Sequence, residues 1–172
     1  MFQDEAIFGR IGKVYRCWVW GKSKRPIIHN QKIRQYQYLY GSTDPQTGDS
    51  CFRIISHLDT ACMNAYLKEL SMQFADEYIL LVCDNAAWHK SHGLVVPHNI
   101  ELMFIPSYTP EMNPQEQVWD EIREKYFANQ RFDSLEEAIN RLCKAVQEMK
   151  PDKLLSITCR AWIGEQFIWD WY

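Results

Sequence analysis

The sequence predicts an α/β fold: a mixed central sheet, built from an antiparallel hairpin plus parallel strands and flanked by helices. Three observations predict it. Tyr78 to Cys83 is an unbroken apolar run of strand length, the pattern of a strand covered on both faces. Lys32 to Gly41 and Ser50 to Ser56 read as strands, separated by Asp44-Pro45-Gln46-Thr47-Gly48, in which Pro and Gly stand where a reverse turn takes them. Helical patterns follow the strands, which implies a layered α/β arrangement whose functional crevice lies beyond the strand ends. With 172 residues, 47% hydrophobic and 24% charged, the chain is long enough for one domain with its own core, and disorder is excluded.

In chain order, Met1 to Asp4 reads as the end of a strand. Residues 5 to 31 carry little periodicity and contain Gly9, Gly12, Gly21 and Pro26. They read as a long excursion with a short hairpin near Val14 to Trp20, where apolar residues alternate. After the hairpin of strands, Asp59 or Thr60 can cap a helix reaching about Ala75, with Met63, Tyr66, Leu67 and Leu70 on one face. The buried strand ends abruptly at Asp84-Asn85. Ile100 to Ile105 is a further short strand, stopped by Pro106. Three prolines stiffen the loop Pro106 to Pro114. A helix is expected from about Pro114 to Ala128, and another from the cap Ser134 to Lys150, broken by Pro151. The last segment, Pro151 to Tyr172, reads as helical, its Trp169, Trp171 and Tyr172 serving to dock the tail. The six cysteines are scattered with no CxxC pair, as reduced thiols are. No apolar run approaches the roughly 18 residues of a membrane span.

A net charge of −3 argues by itself against a nucleic-acid binder, but the charges are unevenly placed. Ala6 to Thr43 holds no acid and eight bases, Arg10, Lys13, Arg16, Lys22, Lys24, Arg25, Lys32 and Arg34, so +8 there stands against −11 elsewhere. Tyr15, Trp18, Trp20, Ile27 and Ile28 interleave with them. This is a basic arm, at about residues 9–34, on an acidic body; it suits phosphate contacts and equally a solvated hairpin.

Three acids stand at element ends: Asp4 on the first strand, Asp84 on the buried strand, Glu116 in the first turn of the helix after the proline loop. Carboxylates converging from two strands and a helix repel one another unless a divalent cation lies among them. Oxygen-only ligation suits Mg²⁺ or Mn²⁺, and two such ions support in-line phosphoryl transfer. Position alone leaves plainer readings open: a frayed terminus for Asp4, a turn or cap for Asp84, a helix-dipole partner for Glu116. Glu5 points to the opposite face from Asp4 if the strand stays extended. His89 and His92 are spaced like a zinc pair, but no cysteine or third histidine completes a zinc set.

The residues in these blocks narrow the choice. Phe2-Gln3-Asp4-Glu5-Ala6, then Asp84 to Lys90 with the pattern DNAxxH, then Pro106 to Trp119 with PxYxPxxNPxExxW, resemble the signature blocks of the mariner-superfamily insertion-sequence transposases of bacteria. Tyr40-Gly41-Ser42-Thr43-Asp44-Pro45 resembles that family's hairpin, and Glu116 follows Asp84 by 32 positions, near the family's usual spacing. The resemblance covers roughly residues 1–125. It implies an RNase H-like DDE catalytic domain with Asp4, Asp84 and Glu116 as the catalytic and metal-binding triad for two Mg²⁺ ions, Mn²⁺ substituting. Asp120, four residues after Glu116, is read as a surface acid. Asn85 and His89 would support the triad or touch the scissile phosphate, and Trp119 would pack its helix on the sheet. The activity implied is cleavage of DNA at element ends and strand transfer into target DNA, in the bacterial cytoplasm, by a homodimer formed on DNA through the basic arm.

Transposases of this group carry an N-terminal helix-turn-helix region that reads the element's ends. This sequence starts three residues before Asp4, so residues 1–172 are expected to be the catalytic domain alone, without that region. The alternative is a non-catalytic truncated transposase that dimerises with the full-length enzyme and inhibits it.

Overall fold

The computed structural model describes residues 1–21 and 26–163. Five strands form one sheet: β1 (Phe2–Ile11), β2 (Lys32–Thr43), β3 (Ser50–Ile55), β4 (Ile79–Cys83) and β5 (Ile100–Phe104), in the order β3-β2-β1-β4-β5. β1, β2 and β3 pair antiparallel, while β1–β4 and β4–β5 pair parallel. Four helices cover the sheet: α1 (Thr60–Gln73), α2 (Gln115–Ile122), α3 (Leu135–Glu148) and α4 (Pro151–Thr158). The mixed sheet flanked by helices is the architecture the sequence predicts.

Most element ends follow from local chemistry. The Asp59 side chain accepts from Cys62 N at 2.7 Å and starts α1; Ser134 accepts from Glu137 N at 3.0 Å and starts α3. Gly48 closes the β2–β3 turn at φ +79°, the left-handed region glycine enters without steric cost. The expected helix from 114 to 128 divides into α2 and a wider π-type turn, Arg123–Phe127.

The excursion differs from expectation. The first strand does not end at Asp4 but runs ten residues, to Ile11. Gly9 read as a breaker; it is instead the residue that lets β1 approach β2, since a Cβ there would lie 2.3 Å from the Gln35 carbonyl oxygen. No hairpin forms near Val14 to Trp20 among the described residues. Residues 9–11 and 32–34 belong to strands, so the described irregular parts of the arm are 12–21 and 26–31. Its base is fastened: Gly12 N donates to Gln31 O at 2.7 Å, Tyr15 N to Asn129 Oδ1 at 2.9 Å, and Gln31 exchanges two bonds with the Phe132 backbone. Of the predicted arm residues Lys22, Lys24 and Arg25 lie outside the described residues, as do Trp169, Trp171 and Tyr172. Within the predicted helix over 151–172, the described residues form α4 and a helical segment at 161–163, separated by 159–160.

Two cores sandwich the sheet. On one face Ala6, Phe8 and Leu39 meet Val118, Trp119 and Ile122 of α2 and Leu142 of α3. On the other, Tyr40 and Leu81 meet Met63, Tyr66, Leu67 and Leu70 of α1, the stripe its periodicity marks out. Each large apolar side chain buried here contributes about 2 kcal/mol, which fixes the sheet that carries the acids.

Candidate active site

β1 and β4 pair in parallel with Phe2 opposite Val82. Carried two residues further, that register sets Asp4 beside Asp84. Asp4 is therefore not at a strand end but near the start of the central strand, while Asp84 follows the last residue of β4 as expected. Glu116 enters from the first turn of α2. The buried Asn113 ties that turn to β1, donating from Nδ2 to Gln3 O at 2.9 Å and accepting from Gln115 N through Oδ1 at 3.1 Å. Asp4, Asp84 and Glu116 all line one cleft of about 390 Å³, with Asn85, Tyr108 and Asn113 on its walls.

Each acid has its own setting. Trp119, fully buried, packs α2 on the sheet as expected and also donates from Nε1 to Asp4 Oδ2 at 2.8 Å. Burial, and then the nearby charge of Glu116, push the Asp4 carboxyl up to about 7 despite that bond. Burial also raises Glu116; Arg123 opposes the shift, and Asp120 and Asp84 add to it. Asp120 is largely exposed and reaches Arg123 at 3.5 Å, the surface acid expected. Asp84 is held low, chiefly by hydrogen bonding to His89, and its Oδ1 accepts from Ala86 N at 2.9 Å.

His89 is buried behind the cleft. Its Nδ1 lies 2.9 Å from Asp84 Oδ1 and its Nε2 lies 3.1 Å from Glu5 Oε1. Burial alone would lower its pKa, but the bonds to Asp84 and Glu5 outweigh it and push the ring up to about 9, so both nitrogens donate. Glu5 does face away from Asp4, but into the protein: its carboxylate is 5% exposed and also accepts from Gln3 Nε2 and Trp88 Nε1. Asn85 turns from Asp84 and donates to the Ile105 carbonyl, joining the ends of β4 and β5.

Among the described residues, none of the predicted bases lines the cleft. Arg10 belongs to β1 and is committed to the body, bonding Phe132 O at 3.0 Å and Gln35 Oε1 at 2.8 Å. Lys13 stacks over the Tyr15 ring, and Arg16, Lys32 and Arg34 are exposed.

The cleft offers an all-oxygen set of carboxyls, the donor chemistry a divalent cation takes, and two of them are raised by burial and neighbouring acids. It is not a closed cage. Among the described residues no three His, Cys, Asp or Glu side chains are gathered closely enough to enclose one ion.

Sequence reasoning missed the partnerships that hold these acids: Trp119 on Asp4, Glu5 on His89, Asn113 on β1. Asn113 and Trp119 stand in the block that carries Glu116, and Glu5 follows Asp4, but only the folded arrangement shows what they touch.

A family model described as DDE superfamily endonuclease matches residues 1–139. The uncharacterized protein y4pE/y4sA of Sinorhizobium fredii is 32% identical over 130 residues, covering 74% of this chain and 96% of its own. Among solved structures, the Mos1 transposase paired-end complex with left transposon end matches with a TM-score of 0.68 at 16% identity, over 91% of this chain and 50% of that one. The Mos1 mariner paired end complex with Mn matches at 0.66 and 16%, over 90% and 50%. At such identity the likeness is one of fold, the RNase H-like arrangement. The chain spans about half the length of the Mos1 chains it matches.

Proposed function

The chain belongs to the DDE superfamily endonuclease family, and from that membership we propose that it is a transposase catalytic domain, cleaving DNA at element ends and transferring the cut strand to target DNA. The observation that carries this reading is the meeting of Asp4, Asp84 and Glu116 in one cleft. These three would hold Mg²⁺, or Mn²⁺ in its place. Two such ions would supply activation of the attacking oxygen and charge stabilisation of the leaving one.

The chain's own residues would set the geometry. His89 and the Ala86 amide fix Asp84, and Glu5 in turn fixes His89, the way outer-shell partners orient ligands at metal sites. Trp119 fixes Asp4. Asn113 fixes the helix start that carries Glu116. Positioning of this kind supplies much of the barrier reduction in a reaction with no covalent protein intermediate. The exposed bases of the arm would meet DNA phosphates or a second copy of the chain, and the site of action would be the bacterial cytoplasm. No helix among the described residues is long and apolar enough to cross a membrane.

Calorimetric titration with Mn²⁺, followed by strand-cleavage assays, tests the assignment. We expect saturable binding that Asp84→Ala abolishes, and an Asp84→Asn chain that still binds DNA but no longer cuts it. Cleavage by purified Asp84→Asn would overturn the role of the triad. Absence of Mn²⁺ binding by the wild type, together with poisoning of an active transposase on mixing, would transfer the assignment to a non-catalytic partner.

A further inference from the structure

Tyr108 combines three properties that rarely occur together. Its φ is +63°, in the left-handed region that a bulky side chain seldom occupies. It sits at the second central position of the turn Pro106–Thr109, where a positive φ normally selects Gly or Asn. Its side chain is 100% exposed, so no packing within the protein repays the strained backbone. Folding alone would favour a glycine here.

The turn is not loose. Pro106 and Pro110 flank it, the Thr109 hydroxyl donates to Pro106 O at 2.6 Å, Met112 N donates to Thr109 O at 3.0 Å, and Asn85 clamps the preceding Ile105 carbonyl. A stiff support therefore holds a bare aromatic ring in water. Tyr108 lines the cleft that contains Asp4, Asp84 and Glu116. Strain kept at a site, with no gain in packing, points to use at that site.

We infer that Tyr108 is a stacking platform for an unpaired nucleobase of the DNA strand whose phosphate occupies the cleft. The inference rests on the proposed DNA-cleaving role. In a nucleic-acid strand, what adjoins a phosphate is a base, and a base presents a flat π face once it leaves its neighbours. Tyrosine meets it with a rigid ring that loses little rotamer freedom, whichever base it is. Duplex bases are already stacked and offer the ring nothing, so the preference is for frayed, flipped or single-stranded nucleotides.

The test uses the whole chain in Ca²⁺ buffer with two DNA probes. One is a blunt duplex. The other is the same duplex with a short single-stranded overhang carrying 2-aminopurine, whose fluorescence falls on stacking. We expect Y108F to bind both as the wild type does. Y108A and Y108G should bind the overhang probe between about 5- and 100-fold more weakly, leave 2-aminopurine unquenched, and bind the blunt duplex unchanged. Y108G should melt at or above the wild-type temperature, which separates the lost contact from lost folding. Unaltered overhang binding by Y108A overturns the inference, and so does equal weakening for both probes, which would indicate a backbone or groove contact. If the wild type binds neither probe, the DNA-cleaving reading itself falls, and this one with it; binding that ignores Tyr108 removes this one alone.

Discussion

At the scale of single residues, the chemistry turns on one imidazole between two carboxylates. His89 is buried with Glu5 on one nitrogen and Asp84 on the other, so a positive charge is shared by a hidden acid and a cleft acid. The ring is pushed up to about 9 from 6.5, so its contribution to stability is full below pH 6.5 and is lost as pH rises through 9. Asp4, pushed up to about 7 from 3.8, acts in the same direction: the fold prefers its protonated form, and that preference is lost as pH rises through 7. In EDTA we therefore expect the unfolding free energy from urea titration to fall by about 4 kcal/mol between pH 6 and pH 9. His89→Gln should retain only the Asp4 share, about 1 kcal/mol. A level wild-type profile would show that neither group is perturbed as described.

Among the elements, β2 governs the site without contributing an acid to it. Gly41 lies opposite Asp4 in the β1–β2 register, and opposite Phe52 on β3. A Cβ at position 41 would lie 2.5 Å from Trp119 Cη2 and 2.7 Å from Phe52 Cε1. The missing side chain is the space into which the indole fits, and the indole is what holds Asp4. Gly41→Ala should thus cost about 1–3 kcal/mol by overpacking. It should also weaken Mn²⁺ binding, because Trp119 is displaced from the carboxylate. Urea midpoints and calorimetry on the same sample separate the two effects, and a stable variant with intact Mn²⁺ affinity would contradict the coupling.

Over the whole molecule, the charge is divided between a basic arm and an acidic body, and the arm is also where apolar surface is least covered. Trp18 is 103% exposed and Trp20 is 93% exposed, so the segment is not packed as core. Its base is nevertheless tied to Asn129 and Phe132 of the body. If the arm meets phosphates, Arg16→Glu combined with Lys32→Glu should weaken DNA binding. It should also reduce the slope of log affinity against log salt by about 2. Anisotropy titrations at several salt concentrations measure that slope, and an unchanged slope would remove the arm from the DNA interface.

The fold class, most element boundaries, the stripe of α1 and three acids that turn out to line one cleft were legible in the chain alone. Each of these is written in local patterns: an apolar run, capping residues, a Pro-Gly turn, short motifs around each acid. The long β1 is misread from sequence, because Gly9 signals a break locally, whereas its reason for being there is Gln35 on a neighbouring strand, 26 positions away in the chain. Which side chains hold the acids follows from packing alone. Glu5 and His89, Asp4 and Trp119, Gln3 and Asn113 are joined across 84, 115 and 110 positions respectively. Contacts at such separations leave no periodicity or spacing to read, since they exist only once the strands and helices have packed.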